Sequence, residues 1–281
     1  MTKPPSPAHP ATAQVRSGKS QPHPDLREKP SPGWYWLYGL HAVEAALANS
    51  NRNKGDLLLT RNAALRLGPV LEAVGRQPKI SNRAKFAAIL GTAVHQGAAL
   101  HVQQLTPPSL EGIARQADGQ PILVLDRVTD PRNVGAILRS AGAFDAAALV
   151  TPWRHAAPES AVMAKAASGG LEHVPYVRVR NLSRSLGMLR DQGFVMIGLD
   201  SQVDQDLVAI IGAQSGRSLA VVLGSEDRGL RQGTRESCDH LATIRHTGPI
   251  PSLNVSNAAA IALFLMTARR DGESASVNDK K

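Results

Sequence analysis

The chain has 281 residues and a formal net charge of +9, with an isoelectric point near 10.1, a balance that favours a polyanionic partner. Hydrophobic residues make up 42%, which excludes wholesale disorder, and aromatics only 4%, which argues against recognition built mainly on stacking platforms. The single cysteine, Cys238, excludes an intrachain disulfide and a thiolate metal cluster, so no metal is expected.

Residues 1–33 hold eight of the 19 prolines, with Ser, Lys and Arg between them. Such a segment cannot bury enough apolar surface to offset its ordering entropy, so a disordered basic tail is expected. From Trp34 the pattern alternates between helix and strand. Leu40, Val43 and Leu47 share one helical face, Asp56–Thr60 has the character of a strand, Ala63–Val74 of a second helix and Ala98–Val102 of a further strand. Residues 34–105 are thus expected to form a small α/β domain. Residues 106–120, opening on Thr106-Pro107-Pro108-Ser109, are expected to be a linker.

Beyond Pro121 the strands are continuous apolar runs: Ile122–Leu125, Ala147–Val150, Phe194–Ile197 and Leu219–Leu223. Continuous runs indicate strands buried on both faces, hence a parallel sheet covered by helices. The predicted helices between them are Val134–Ala143, Ser160–Ala167 and Leu182–Arg190, and a long apolar helix, Leu253–Arg270, closes the domain at 121–270 before a flexible tail at 271–281. The longest apolar run, Ala258–Met266, is too short for a bilayer, and the start of the chain lacks a secretory apolar segment. A soluble cytoplasmic protein without membrane association is expected.

Three loops follow predicted strands at their carboxyl ends, where open α/β sheets bind ligands. In the first, Asp126–Arg139, Asn133 occupies a predicted helix N-cap and Arg139 the second turn, with Gly135 leaving the same face bare. The second, Leu223-Gly224-Ser225-Glu226-Asp227-Arg228-Gly229-Leu230, sets two glycines around a carboxylate, as a tight loop facing a ligand would. It is neither a phosphate loop nor a dinucleotide fingerprint. The third, Thr247–Asn257, is stiffened by Pro249 and Pro251 and leads through Ser252, Leu253 and Asn254 into the last helix; either polar residue can cap that helix.

In order, these loops read Asn-x-Gly-x-x-x-Arg, Leu-Gly-x-Glu-x-x-Gly-Leu and Ser-Leu-Asn-Val-Ser. Together they resemble the three motifs of the SpoU/TrmH class of the SPOUT superfamily of RNA methyltransferases. Tyr38–Val43 and Ala93–Gly97 are similar to the ends of the small RNA-binding domain in the branch that methylates a guanosine ribose of 23S ribosomal RNA. The resemblance spans roughly residues 34–270. It implies a trefoil-knotted C-terminal α/β domain, a small N-terminal domain of the L30e/L7Ae type, a homodimer, S-adenosyl-L-methionine as cofactor and RNA as partner. It further implies that Leu223, Gly224, Ser225, Gly229, Ile244, Ser252, Leu253 and Asn254 bind the cofactor, and that Arg139, Asn133, Glu226, Ser252 and Asn254 form the catalytic site. Asp227, Arg245-His246 and Asn257 depart from the usual motifs. Lys165, Ser168, Gly169, Gly170 and Glu172 resemble a family segment near the RNA, while His41, His95, Gln96 and Trp153-Arg154-His155 are either RNA contacts or ordinary packing. A tRNA methyltransferase of the same class, a non-catalytic ribosome-associated RNA binder and a doubly wound nucleotide enzyme remain alternatives.

Overall fold

A computed structural model of the chain describes residues 33–250 and 252–278. The tail expected at 1–33 therefore lies outside the described residues except for Gly33, as do Pro251 and the last three residues.

The first part of the chain forms β1 (Trp34–Tyr38), α1 (Leu40–Ala48), β2 (Lys54–Leu59), α2 (Arg61–Arg66), α3 (Gly68–Ala73), β3 (Lys79–Ile80), α4 (Arg83–Leu90) and β4 (Ala98–Gln103). The strands make a mixed sheet in the order β1-β4-β2-β3, antiparallel except for β2 with β3. The single helix predicted over Ala63–Val74 is two short ones. Thr60 caps the first by accepting from Ala63 N, and the chain breaks at Leu67, ahead of a helix with proline in its first turn. Proline has no N–H to give and crowds the preceding turn, so one continuous helix cannot run through it.

The remainder forms α5 (Leu110–Gln116), β5 (Ile122–Asp126), α6 (Pro131–Ala143), β6 (Ala148–Pro152), α7 (Ala161–Ala167), α8 (Gly170–His173), β7 (Tyr176–Val179), α9 (Leu182–Asp191), β8 (Phe194–Leu199), α10 (Leu207–Gly212), β9 (Ser218–Gly224), α11 (Gln232–Glu236), β10 (His240–Ala242) and α12 (Val255–Asn278). Six strands make a parallel sheet in the order β10-β8-β9-β5-β6-β7. Alternate residues serve opposite faces. Leu123, Leu125 and Leu149 pack with α6, α7 and α12, while Ile122, Val124 and Val150 pack with α5 and α9. Both faces are thus covered, as the apolar runs require.

Two expected boundaries change. The segment read as a linker contains α5, capped by Ser109 accepting from Gly112 N, with Leu110 and Ile113 buried under the sheet. The last helix starts at Val255 rather than Leu253 and runs on to Asn278, so a tail does not begin at residue 271. Among the described residues no helix is long and apolar enough to cross a membrane.

The two parts share one apolar core. Leu37, Val43 and Leu100 of the small sheet belong to the same buried cluster as Leu125, Leu138 and Met163. A buried ion cluster crosses the same junction. Arg52, with no exposed side-chain surface, donates to Glu159 Oε1 at 2.6 Å and to Glu172 at 2.6 and 3.1 Å, while Tyr35 Oη donates to Glu159 at 2.8 Å and Asn49 Nδ2 to Glu172 at 2.8 Å. Burial works to lower the Arg52 pKa, but the hydrogen bond to Glu172 and the surrounding negative charge outweigh it and raise the value.

Candidate functional site

The carboxyl ends of β5, β9 and β10 deliver the three motif loops to one place. Glu226, after β9, accepts three hydrogen bonds on a single oxygen: Oε1 takes Asn254 Nδ2 at 2.6 Å, Asn133 Nδ2 at 3.1 Å and Val255 N at 3.3 Å. Asn254 Nδ2 also donates to Asn133 Oδ1 at 3.2 Å. Asn254 Oδ1 accepts from Ser256 N at 2.9 Å and Ser256 Oγ at 2.5 Å, which caps the final helix. One amide therefore both starts a helix and ties it to two distant loops.

Asn133 is not the N-cap expected of it. Asp130 caps α6 by accepting from Arg132 N at 2.8 Å, and Asn133 sits one turn inside, where its amide is free to reach Glu226. Arg139 accordingly falls in the third turn. Gly135 does not clear space for Arg139 either: a Cβ there would meet Met163 O at 2.5 Å and Ala166 Cβ at 2.6 Å, so this glycine lets α7 close on α6.

Beside the Glu226 cluster lies a cavity of about 420 Å3 at the carboxyl ends of β8, β9 and β10, within the usual range for small-molecule sites of roughly 300–1,000 Å3. Leu223, Gly224, Ser225, Gly229, Ile244, Ser252 and Leu253 line it; Asn254, assigned with them, stands behind the wall on Glu226. Gly224 is required by the loop itself, since a Cβ would lie 2.1 Å from the carbonyl carbon of Gly229. Gly229 has φ +62° and its N–H closes the turn on Ser225 O at 2.9 Å. Asp227 is not among the positive-φ residues, so its departure from the motif imposes no left-handed strain.

Motif reasoning missed one wall. Leu199, Asp200, Ser201 and Gln202, just beyond β8, also line the cavity, and Asp200 pairs with Arg235 across it. A carboxylate directly after an apolar strand was the available signal. Of the divergent residues, Arg245 turns to Asp204 O at 3.2 Å and His246 lines the cavity mouth.

Arg139 is the assigned residue that the fold does not bring to this cavity. It is exposed and lines a separate cleft with His41 and Glu44 of α1 and His173 of α8. Six residues along a helix place it about 9 Å from Asn133 along the axis and on another face. The loop from Lys165 to Glu172 is largely accounted for by packing. Lys165 Nζ donates to Gln96 Oε1 at 2.6 Å, Ser168 ends α7 in a left-handed conformation, and Glu172 serves the Arg52 cluster. Burial lowers the Lys165 and His95 pKa values; His95 stacks on Phe86 at 4.3 Å and accepts from Gly97 N. Burial pushes the Cys238 thiol up to about 12, and its Sγ donates to Thr234 O, which suits a structural cysteine. Among the described residues no group of three or more His, Cys, Asp or Glu is placed to hold a metal.

A six-stranded parallel sheet with these loops at its carboxyl edge is the fold of the SpoU methyltransferases. The chain superposes on AviRb of Streptomyces viridochromogenes, solved in complex with AdoMet, with a TM-score of 0.71 and 22% identity, covering 85% of this chain and 92% of that one. An AdoMet-bound rRNA methyltransferase of Sinorhizobium meliloti gives 0.70 at 22% identity, over 84% and 87%. The model of the SpoU rRNA Methylase family matches residues 120–264, and that of the RNA 2′-O ribose methyltransferase substrate-binding domain matches residues 36–108. Similar proteins named 23S rRNA (guanosine-2′-O-)-methyltransferase RlmB are 36% identical in Vibrio cholerae serotype O1, over 83% of this chain and 96% of that protein, and 36% in Escherichia coli K12, over 83% and 98%. The chain belongs to the SpoU rRNA methylase family.

Proposed function

We propose that the chain transfers a methyl group from S-adenosylmethionine to the ribose 2′-hydroxyl of a guanosine in 23S ribosomal RNA. The observation that carries this reading is the convergence of Asn133 and Asn254 on Glu226 Oε1 at the rim of a cavity walled by Leu223, Ile244 and Leu253. That cavity has the size, the apolar side walls and the exposed loop backbone that a nucleoside cofactor needs. The kinship with relatives named for this activity, along nearly their whole length, supports the substrate.

When bound, the cofactor supplies an electrophilic methyl group on a sulfonium. Leu223, Ile244 and Leu253 would hold the adenosine, with the backbone of Gly224, Ser225 and Gly229 and the Ser252 hydroxyl at its edges. Glu226, Asn133 and Asn254 keep the three loops in register, so that the hydroxyl is presented in line. The Arg139 guanidinium is a planar fork of N–H donors that matches phosphate and oxyanion geometry. Its role is to hold an adjacent phosphate or to stabilise the oxygen as its proton leaves to water. Since Arg139 opens on a different cleft of its own chain, we read the active form as a homodimer in which a second copy brings its Arg139 to the cavity. The strand order of the large sheet supports a trefoil knot, and the four-stranded mixed sheet supports an L30e-like RNA-binding domain. Residues 34–105 would then capture RNA and 121–270 carry the chemistry, in the cytoplasm where ribosomal RNA is found.

Calorimetric titration with S-adenosylhomocysteine should give saturable binding at one site per chain, and 23S rRNA from a deletion strain should lack one 2′-O-methylguanosine that the gene restores. Arg139→Lys should keep part of the turnover with cofactor affinity unchanged. A folded dimer that binds no S-adenosylhomocysteine, together with an unaltered methylation map, would overturn the reading.

A further inference from the structure

A second groove, of about 770 Å3, runs along the carboxyl edge of β5, β6 and β7. It shares that edge of the sheet with the cofactor cavity, and the two meet at one loop: Leu230 lines the cavity and Arg231 lines the groove. Four arginines line it, Arg127 after β5, Arg154 after β6, Arg180 after β7 and Arg231 before α11, and no lining residue among the described ones is acidic. Arg231 is the only one of the four in a described ion pair, with Asp126 at 2.7 Å. Arg154 and Arg180 are exposed.

Two features show that this is more than a solvated basic surface. The Arg127 side chain leaves a left-handed backbone, φ +63°, which an arginine rarely adopts, and its Nε is buried with no hydrogen-bond partner. A buried N–H without an acceptor is unfavourable unless a ligand supplies one. Trp153 stands at the rim with 58% of its surface exposed. Arg178 lies 4.3 Å over its ring and donates to Trp153 O at 2.9 Å, so the indole is held out into the groove instead of folding onto the domain. The amino end of α9, capped by Asn181, adds Leu182 and Ser183 to the lining.

We infer that this groove binds the phosphodiester backbone of an unpaired RNA strand, with a base stacked on Trp153, and leads that strand to the methyl-transfer cavity. Guanidinium forks match phosphate oxygens two at a time, and an exposed indole held by a cation suits a base taken out of its helix. The inference rests on the proposed function for the identity of the RNA but is separable from it.

The test uses the full-length protein and an unmodified 23S rRNA transcript, with affinity measured across a potassium chloride series. Arg154→Gln with Arg180→Gln should weaken binding at least ten-fold and make the log–log salt slope shallower by about 1.5, as expected for two lost phosphate contacts. The paired lysine variants should restore the slope. Trp153→Ala should weaken binding roughly ten-fold while leaving the slope alone. S-adenosylhomocysteine affinity and sedimentation mass should not move in any of them. Unchanged RNA affinity and slope in the double glutamine variant would overturn the inference, as would a change of oligomeric mass in place of RNA affinity, which would assign the groove to a protein interface. If the groove variants lose RNA but the wild-type protein leaves no 2′-O-methyl on it, the groove stands and the methyltransferase reading falls.

Discussion

The residue that organises the site is Glu226, and the hydrogen bonds it accepts come from parts of the chain that share no local structure. Glu226→Ala removes the acceptor common to Asn133, Asn254 and Val255. Hydrogen bonds to a charged group contribute about 1.5–3 kcal/mol each when sheltered and less at an exposed carboxylate such as this. The expected outcome is at least a ten-fold loss of S-adenosylhomocysteine affinity by calorimetry with only a small fall in melting temperature. Cys238 makes a different prediction. Its ordinary value is 9.0 and burial pushes it up to about 12. The contribution to stability is full below pH 9 and is lost as pH rises toward 12, because the unfolded thiol ionises first. Urea unfolding of the wild type should therefore weaken between pH 9 and 11 relative to Cys238→Ala, and Cys238 in the folded protein should react slowly with thiol reagents at pH 8. At this scale the sequence was partly legible. Motif resemblance located Asn133, Glu226 and Asn254, but propensity alone misread Asn133 as a cap, because Asp130 followed by proline outcompetes it for that place. Asp200 and Arg235 escaped notice because their pairing links loops 35 residues apart.

Among elements, α6 packs tightly on α7 and α8, and glycines make it possible. A Cβ on Gly170 would stand 2.4 Å from Leu138 O, a backbone atom with no freedom to retreat. Gly170→Ala is expected to cost about 1–3 kcal/mol through overpacking, or roughly 2–4 °C of melting temperature per kcal/mol in a chain of this size. Gly142→Ala is the control. Its nearest neighbour would be 3.4 Å away, an ordinary contact, and alanine is the better helix former by about 1 kcal/mol. Calorimetric melting of the two variants should move in opposite directions. The continuous apolar runs announced β5, β6, β8 and β9 within one or two residues at each end. The shorter β3, β7 and β10, of two, four and three residues, carried no such signal, and Arg178 interrupts the apolar residues of β7; β1 was not read as a strand although Trp34–Tyr38 is wholly aromatic and apolar. Helix α5 was hidden behind Pro107-Pro108, which suggest a linker until Ser109 is seen capping the turn that follows.

For the molecule as a whole, the junction between the small sheet and the large domain turns on Arg52. Its removal would strand Glu159 and Glu172, 8% and 2% exposed, without a countercharge. Breaking a buried pair in this way costs about 3–5 kcal/mol. Arg52→Met should leave cofactor affinity intact but loosen the two parts from each other, giving a larger radius of gyration in small-angle scattering and separate melting transitions. An unchanged radius would show that the shared apolar core holds the junction alone. None of this was legible beforehand, because an arginine in a polar loop and two glutamates more than 100 residues away have no local pattern in common. The span of the Glu226 cluster also sets an order of events during synthesis. Asn133 and Asn254 are 121 residues apart, and at about 5–20 residues per second the ribosome needs on the order of ten seconds to deliver the second after the first. At the start of that interval a nascent chain has its amino-terminal domain, and the last groove arginine, Arg231, is made 23 residues before Asn254, so the parts proposed to hold RNA are synthesised before the site that would modify it can close.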